Sequence, residues 1–312
     1  MKWLALVDRY LEDRRKLGYS LTIDGRVLQG FAAFADAKNT PPRLSLPVVL
    51  EWASLAPSGS EIAIARRIAI VRAFSLYLHT LDPSSAVIPR EQVGRTHRRL
   101  PPYIYSQSDI LACLNSASQL LPAYGIRPLT IRTLLGLLVS SGLRPGEAVR
   151  LRTEDVNLDA GELTINQSKN WRRRSIPIDH STREMLGMYR STRDLFAPLK
   201  HSDSFFLMDD GCGLNIRAAD HAFKVIRRQV GLHRKFNGRF PRLYDFRHTF
   251  VCRRVPSWYE AGVEVDPLIP ILSCYLGHKK IQDTYWDITA TPELMEAAAQ
   301  RFTAYCGAGG EV

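Results

Sequence analysis

The chain has 312 residues, 45% apolar and 23% charged, with a formal net charge of +11. That length exceeds what one compact core usually takes, and the apolar content can offset the entropy of ordering the chain, so two globular domains are expected and not a disordered chain. The 42 Lys and Arg against 31 Asp and Glu suit a partner rich in phosphate, and residues 94–312 hold most of the excess, with 30 basic and 22 acidic side chains.

The opening residues Met1 to Asp8 form too short an apolar run for a signal peptide, and no segment approaches the roughly 20 apolar residues that span a bilayer. A cytoplasmic protein with no membrane partner is expected. Five cysteines (113, 212, 252, 274 and 306) include no CxxC pair, which reads as reduced, mostly buried thiols. The eight histidines are dispersed without an HExxH pattern, so no metal site is expected.

Residues 1–93 read as a small helical unit. Leu4, Val7 and Leu11 recur at helical spacing, and Ile23, Val27, Phe31 and Phe34 repeat the pattern. Ser58-Gly59-Ser60-Glu61 resembles a capping box, and Ile64, Ile68, Val71, Phe74 and Leu78 then make one apolar stripe. Arg66, Arg67 and Arg72 on the same helix are either a solvated face or phosphate contacts. Periodicity is lost between about 82 and 104, and residues 94–104 have linker composition, with Arg95, His97, Arg98 and Arg99 making the connection basic.

The second domain, 105–312, is mostly helical with a strand-rich interruption. Ile131 to Val139 is an apolar helix that stops at Ser140-Ser141-Gly142. Leu163-Thr164-Ile165 and Ser175-Ile176-Pro177-Ile178 form two short strands around a basic turn. Helices follow near 181–196, 216–230, 243–261 and 292–305.

Four segments carry chemistry. Ser141-Gly142-Leu143-Arg144-Pro145-Gly146-Glu147 sets an arginine between a helix stop and a proline-initiated helix, where an ion pair with Glu147 is the plain reading. Gln167 to Arg174 puts Lys169, Arg172, Arg173 and Arg174 on a hairpin tip. Arg242 to Phe250 opens a helix with Arg247 and His248 near its start. Tyr275-Leu276-Gly277-His278 is followed by Asp283-Thr284-Tyr285-Trp286-Asp287.

The order of these pieces resembles the catalytic domain of the tyrosine recombinases, the phage-integrase-type site-specific recombinases, from about residue 105 onward. The helical unit before it is similar to that family's core-binding domain. The resemblance implies a mainly α fold with a small β-sheet or hairpin in the catalytic domain, and a two-domain, C-shaped clamp around double-stranded DNA. It assigns the catalytic positions to Arg144, Lys169, Arg247 and His278, and the basic residues Arg66, Arg67, Arg72, Arg98, Arg99 and Arg172 to Arg174 are then expected to contact the DNA. It further implies a tetramer on two DNA sites, or an assembly with related recombinases, in the cytoplasm on the nucleoid, and a C-terminal helix at 292–305 that docks on a neighbouring subunit or on its own domain.

Two positions depart from the family pattern. Tyr244 stands where a histidine is usual, three residues before Arg247. Asp287 stands at the expected nucleophilic tyrosine, nine residues after His278. Either Asp287 replaces the tyrosine, leaving a chain that binds DNA but cleaves it slowly or not at all, or Tyr285 serves instead. Replacement is favoured, because two residues along a helix turn the side chain by roughly 200°. A non-catalytic accessory subunit and a type IB topoisomerase are the alternative functions.

Overall fold

The computed structural model describes residues 2–96, 100–166, 173–196, 202–236, 238–288 and short pieces at 294–296, 299–300 and 303. The chain divides into two compact units, Met1–Arg99 and Leu100–Val312.

The first unit consists of α1 (Trp3–Lys16), α2 (Thr22–Ala37), α3 (Leu46–Ser54) and α4 (Glu61–Leu81). Its core is held by large side chains in edge-to-face contact, with the Trp3 and Phe31 ring centres 5.5 Å apart and those of Phe31 and Trp52 5.4 Å apart. The inward stripe of α1 is Trp3, Val7, Tyr10 and Leu11; Leu4 is 46% exposed, because Trp3 claims the buried face one residue earlier. In α2 the stripe runs Leu28, Phe31, Ala32 and Ala35, leaving Ile23 on the first turn exposed. The expected capping box from Ser58 to Glu61 does not form: α4 starts at Glu61 and Ser60 is its cap, its Oγ accepting from the Ala63 amide. The aperiodic stretch after α4 packs back on this unit, with Ile88 fully buried and its amide donating to Ser75 Oγ.

In the second unit, α5 (Gln107–Ala117) and α6 (Arg127–Ser141) lead to the short α7 (Pro145–Ala148). Next come the strands β1 (Val156–Asn157), β2 (Glu162–Asn166) and β3 (Arg173–Pro177), and the helices α8 (His180–Phe196), α9 (Ile216–Gln229), α10 (Asp245–Glu260), α11 (Leu268–Leu276) and α12 (Ile281–Asp287). The three strands form one antiparallel sheet in the order β1-β2-β3, and their alternation sends Leu163, Ile165 and Ile176 into the core. β1 has only two residues, too few for alternation to show in the sequence. Apolar on nearly every side, α6 is the central helix, with Ile131, Leu134, Leu135, Leu137 and Leu138 all buried and α10 packed across it.

The start of α10 is fixed from two directions. Tyr105 stacks on Phe246 at 4.2 Å, its amide donates to Thr249 Oγ1 and its hydroxyl donates to the Arg242 carbonyl. The buried Asp245 carboxylate accepts from the Arg242 amide and guanidinium, each at 2.9 Å. Of the cysteines, Cys113 and Cys252 are buried as expected, but Cys212 and Cys274 are exposed and Cys306 lies outside the described residues. No helix among the described residues is long and apolar enough to cross a membrane.

Helix α6 ends at Gly142 with φ +61°, where a Cβ would sit 2.4 Å from the Phe250 ring. Gly142→Ala therefore incurs both left-handed backbone strain, about 1 kcal/mol or more, and a clash with α10. Urea denaturation is expected to show a lower midpoint at unchanged slope.

Candidate active site

Two helix ends form the floor of the site. Both α6 and α11 stop on left-handed glycines, Gly142 and Gly277, and the last carbonyls of an α-helix are unsatisfied acceptors that carry its partial negative charge. Arg247, on the first turn of α10 and fully buried, donates from Nη1 to the Gly142 carbonyl at 3.1 Å and from Nη2 to the Leu276 carbonyl at 2.9 Å. Arg144, just before α7, donates to the same Leu276 carbonyl and to that of Gly277, each at 3.4 Å. A single peptide oxygen thus holds two guanidiniums from distant parts of the sequence.

Their mutual repulsion is visible in Arg247, whose acidity is raised first by burial and then by the charge of Arg144. Burial also acts against the charge on Arg144, but Glu147 at 2.9 Å and the neighbouring Tyr244 phenol outweigh it. Glu147, itself buried, bridges Arg144 to Arg174 of β3, which lies 2.8 Å from it and donates from Nε to the Tyr275 carbonyl. The two arginines hold the Glu147 carboxyl below the usual carboxylate range despite burial.

His278 follows Gly277 and points back into the same cluster. Its Nε2 lies 2.6 Å from Arg247 Nη2 and its Nδ1 lies 2.8 Å from Thr284 Oγ1. Asp287, at the end of α12, is 7% exposed, and its Oδ2 lies 3.3 Å from both Arg247 Nε and His278 Nε2. Its Oδ1 lies 3.3 Å from His248 Nδ1. Burial alone would raise the Asp287 carboxyl, but the bond from His278 and the charges of His248 and Arg247 hold it low. Burial drives the His248 imidazole below its ordinary value, against the pull of Asp287. Tyr285, by contrast, is 57% exposed, outside this cluster.

Residues 111–288 match the phage integrase family, so the matched region ends one residue beyond Asp287. The putative integrase/recombinase y4rB of Sinorhizobium fredii is 36% identical over 95% of this chain and 95% of its own length. The chain belongs to the phage integrase family of tyrosine recombinases. Among solved structures, the fold is similar to the Tn1549 transposon integrase in complex with transposon right end DNA, at a TM-score of 0.70 and 15% identity over 97% of this chain and 100% of that one. It is also similar to a lambda integrase tetramer bound to a Holliday junction, at a TM-score of 0.63 and 14% identity over 91% and 76%.

Within this integrase-family unit, Arg144, Tyr244, Arg247, His278 and Asp287 come together. Lys169, Arg172, Arg98 and Arg99 lie outside the described residues. Arg173 is exposed on β3, but Arg174, expected to face DNA, is taken up by Glu147 and Tyr275. In the first unit, Arg66 is exposed, Arg72 is half-buried, and Arg67 lies over the Trp52 ring at 4.6 Å and donates to the Trp52 carbonyl. Sequence reading missed the place of His248 beside Asp287 and the bridging of Glu147 to β3. The adjacency of His248 to Arg247 was the available signal for the first; nothing local in the sequence pairs residues 147 and 174.

Because the folded chain holds the Asp287 carboxyl low, the stability it contributes is full above the pKa of an unfolded aspartate, about 3.9, and fades as pH falls through the lower folded value. Asp287→Asn is therefore expected to be less stable than the parent at pH 7 by about 2 kcal/mol, with the gap closing in acid. Urea melts across pH check this; a constant gap at every pH counts against an ionised Asp287.

Proposed function

We propose that this chain is a DNA-binding recombinase subunit whose own transesterification step is blocked at the nucleophile. Arg144 and Arg247 grip the non-bridging oxygens of one backbone phosphate bidentately and stabilise the charge of a pentavalent transition state. His278 hydrogen-bonds that phosphate, Tyr244 donates a further hydrogen bond from its phenol, and Lys169 on the hairpin protonates the leaving 5′ oxygen. With tyrosine at 287, its hydroxyl attacks the phosphorus, a 3′-phosphotyrosyl bond forms, and the freed 5′-hydroxyl attacks a partner strand through a Holliday junction. The conserved bond energy removes any need for a nucleotide cofactor.

The observation that carries this reading is the carboxylate of Asp287 inside the Arg247 and His278 cluster, with Tyr285 turned out to solvent. A carboxylate repels the phosphate and competes with it for Arg247. The chain then acts on duplex DNA in the cytoplasm, on the nucleoid, as a homotetramer or beside active recombinases. Integration and transposition both fit, as the relatives' names suggest. A purely accessory role is the second reading, and the same Asp287 favours it; the intact Arg144, Arg247 and His278 set is more than binding requires.

Asp287→Tyr is expected to form covalent 3′-phosphotyrosyl adducts on a duplex taken from the DNA bordering the coding sequence, where the parent forms none. Robust adducts from the parent that vanish in Tyr285→Phe contradict the assignment.

A further inference from the structure

The position that has lost its phenol is neither empty nor inert. Asp287 is buried at the end of α12, and its backbone is held from α10 by Cys252, whose Sγ lies 3.6 Å from the Asp287 carbonyl. An aspartate carboxylate ends about 3 Å closer to the backbone than a tyrosine hydroxyl, roughly the oxygen separation of one hydrogen bond. A carboxylate with one water bonded to it therefore has the reach of a phenol.

The geometry points to a second activity: Asp287 acts as a general base that directs a water at the phosphate held by Arg144 and Arg247, so that the chain nicks DNA by hydrolysis. This rests on the proposed phosphate site but not on any covalent intermediate. In the step, the water oxygen forms a bond to phosphorus while its proton passes to the Asp287 carboxylate. The bond from phosphorus to the 5′ oxygen breaks, and that oxygen takes a proton from solvent. The products are a 3′-phosphate and a 5′-hydroxyl, with nothing attached to the protein and no bond energy kept for rejoining.

Two features of the cluster suit this role. His248 Nδ1 is buried and lies 3.3 Å from Asp287 Oδ1, close enough for a proton to pass between the carboxylate and the ring. Arg247, whose Nε lies 3.3 Å from Asp287 Oδ2, is also the group that engages the phosphate, so substrate binding draws its charge away from the carboxylate and makes Asp287 a stronger base.

The test uses the full chain with supercoiled plasmid carrying the DNA that borders its coding sequence, in a chelator to silence contaminating nucleases. Slow conversion to nicked circles is expected, with 3′-phosphate ends that take up one isotopically heavy oxygen from labelled water. The rate is expected to fall by about a hundredfold or more in Asp287→Asn and in Asp287→Ala, with plasmid binding retained. Nicking equal in parent and both variants, no nicking by the parent, or 3′-hydroxyl ends each overturn the inference. Asp287→Tyr separates the two levels: adducts from it without nicking by the parent leave the phosphate site standing and remove only the hydrolysis, whereas absence of both removes the site as well.

Discussion

The carbonyl of Leu276 is the point on which the site is built. Two like charges, Arg144 and Arg247, meet there, the second with no exposure to water, and guanidiniums so placed repel each other strongly in a medium that screens poorly. The fold offsets this with the negative ends of two helices and with two buried carboxylates, Glu147 and Asp287. Left-handed glycines at 142 and 277 are what let those helices stop with their carbonyls turned toward the arginines, and Phe250 leaves no room for a side chain at the first of them.

Such a cage, rich in donors and fixed before any ligand arrives, stabilises an anion without having to reorganise around it. Under the proposed function this is the environment in which a backbone phosphate is held. Here the anion already inside is the chain's own. Asp287 completes the charge balance of the resting site; under the proposed function the same carboxylate also takes the place of a nucleophile, so stability and chemistry place opposing demands on one residue. Glu147 meets no such conflict, because it faces the β3 side through Arg174.

Much of this arrangement was legible in the sequence, because its key residues sit beside strong local signals. Arg144 lies between a glycine stop and a proline start, His278 directly follows Leu276-Gly277, and the apolar run of α6 marks the central helix of the unit. What escaped was set by contacts between distant segments. Which face of α1 is buried was decided by Trp3 meeting Phe31, not by the Leu4 repeat. Arg174 reads as one of three consecutive basic residues, and only the pairing of β3 with β2 turns it toward Glu147 while Arg173 remains in solvent. His248 looked like a neighbour of Arg247, yet its value lies in facing a residue 39 positions later, as shown by its 3.3 Å approach to Asp287.

A crystal structure of the full chain on duplex DNA tests most directly whether the two guanidiniums serve one phosphate. One backbone phosphate within hydrogen-bonding distance of both Arg144 and Arg247, with Asp287 no longer the partner of Arg247 Nε, is the expected result. A duplex bound elsewhere on this unit, with Arg247 Nε still paired with Asp287 and no phosphate near either arginine, would contradict it.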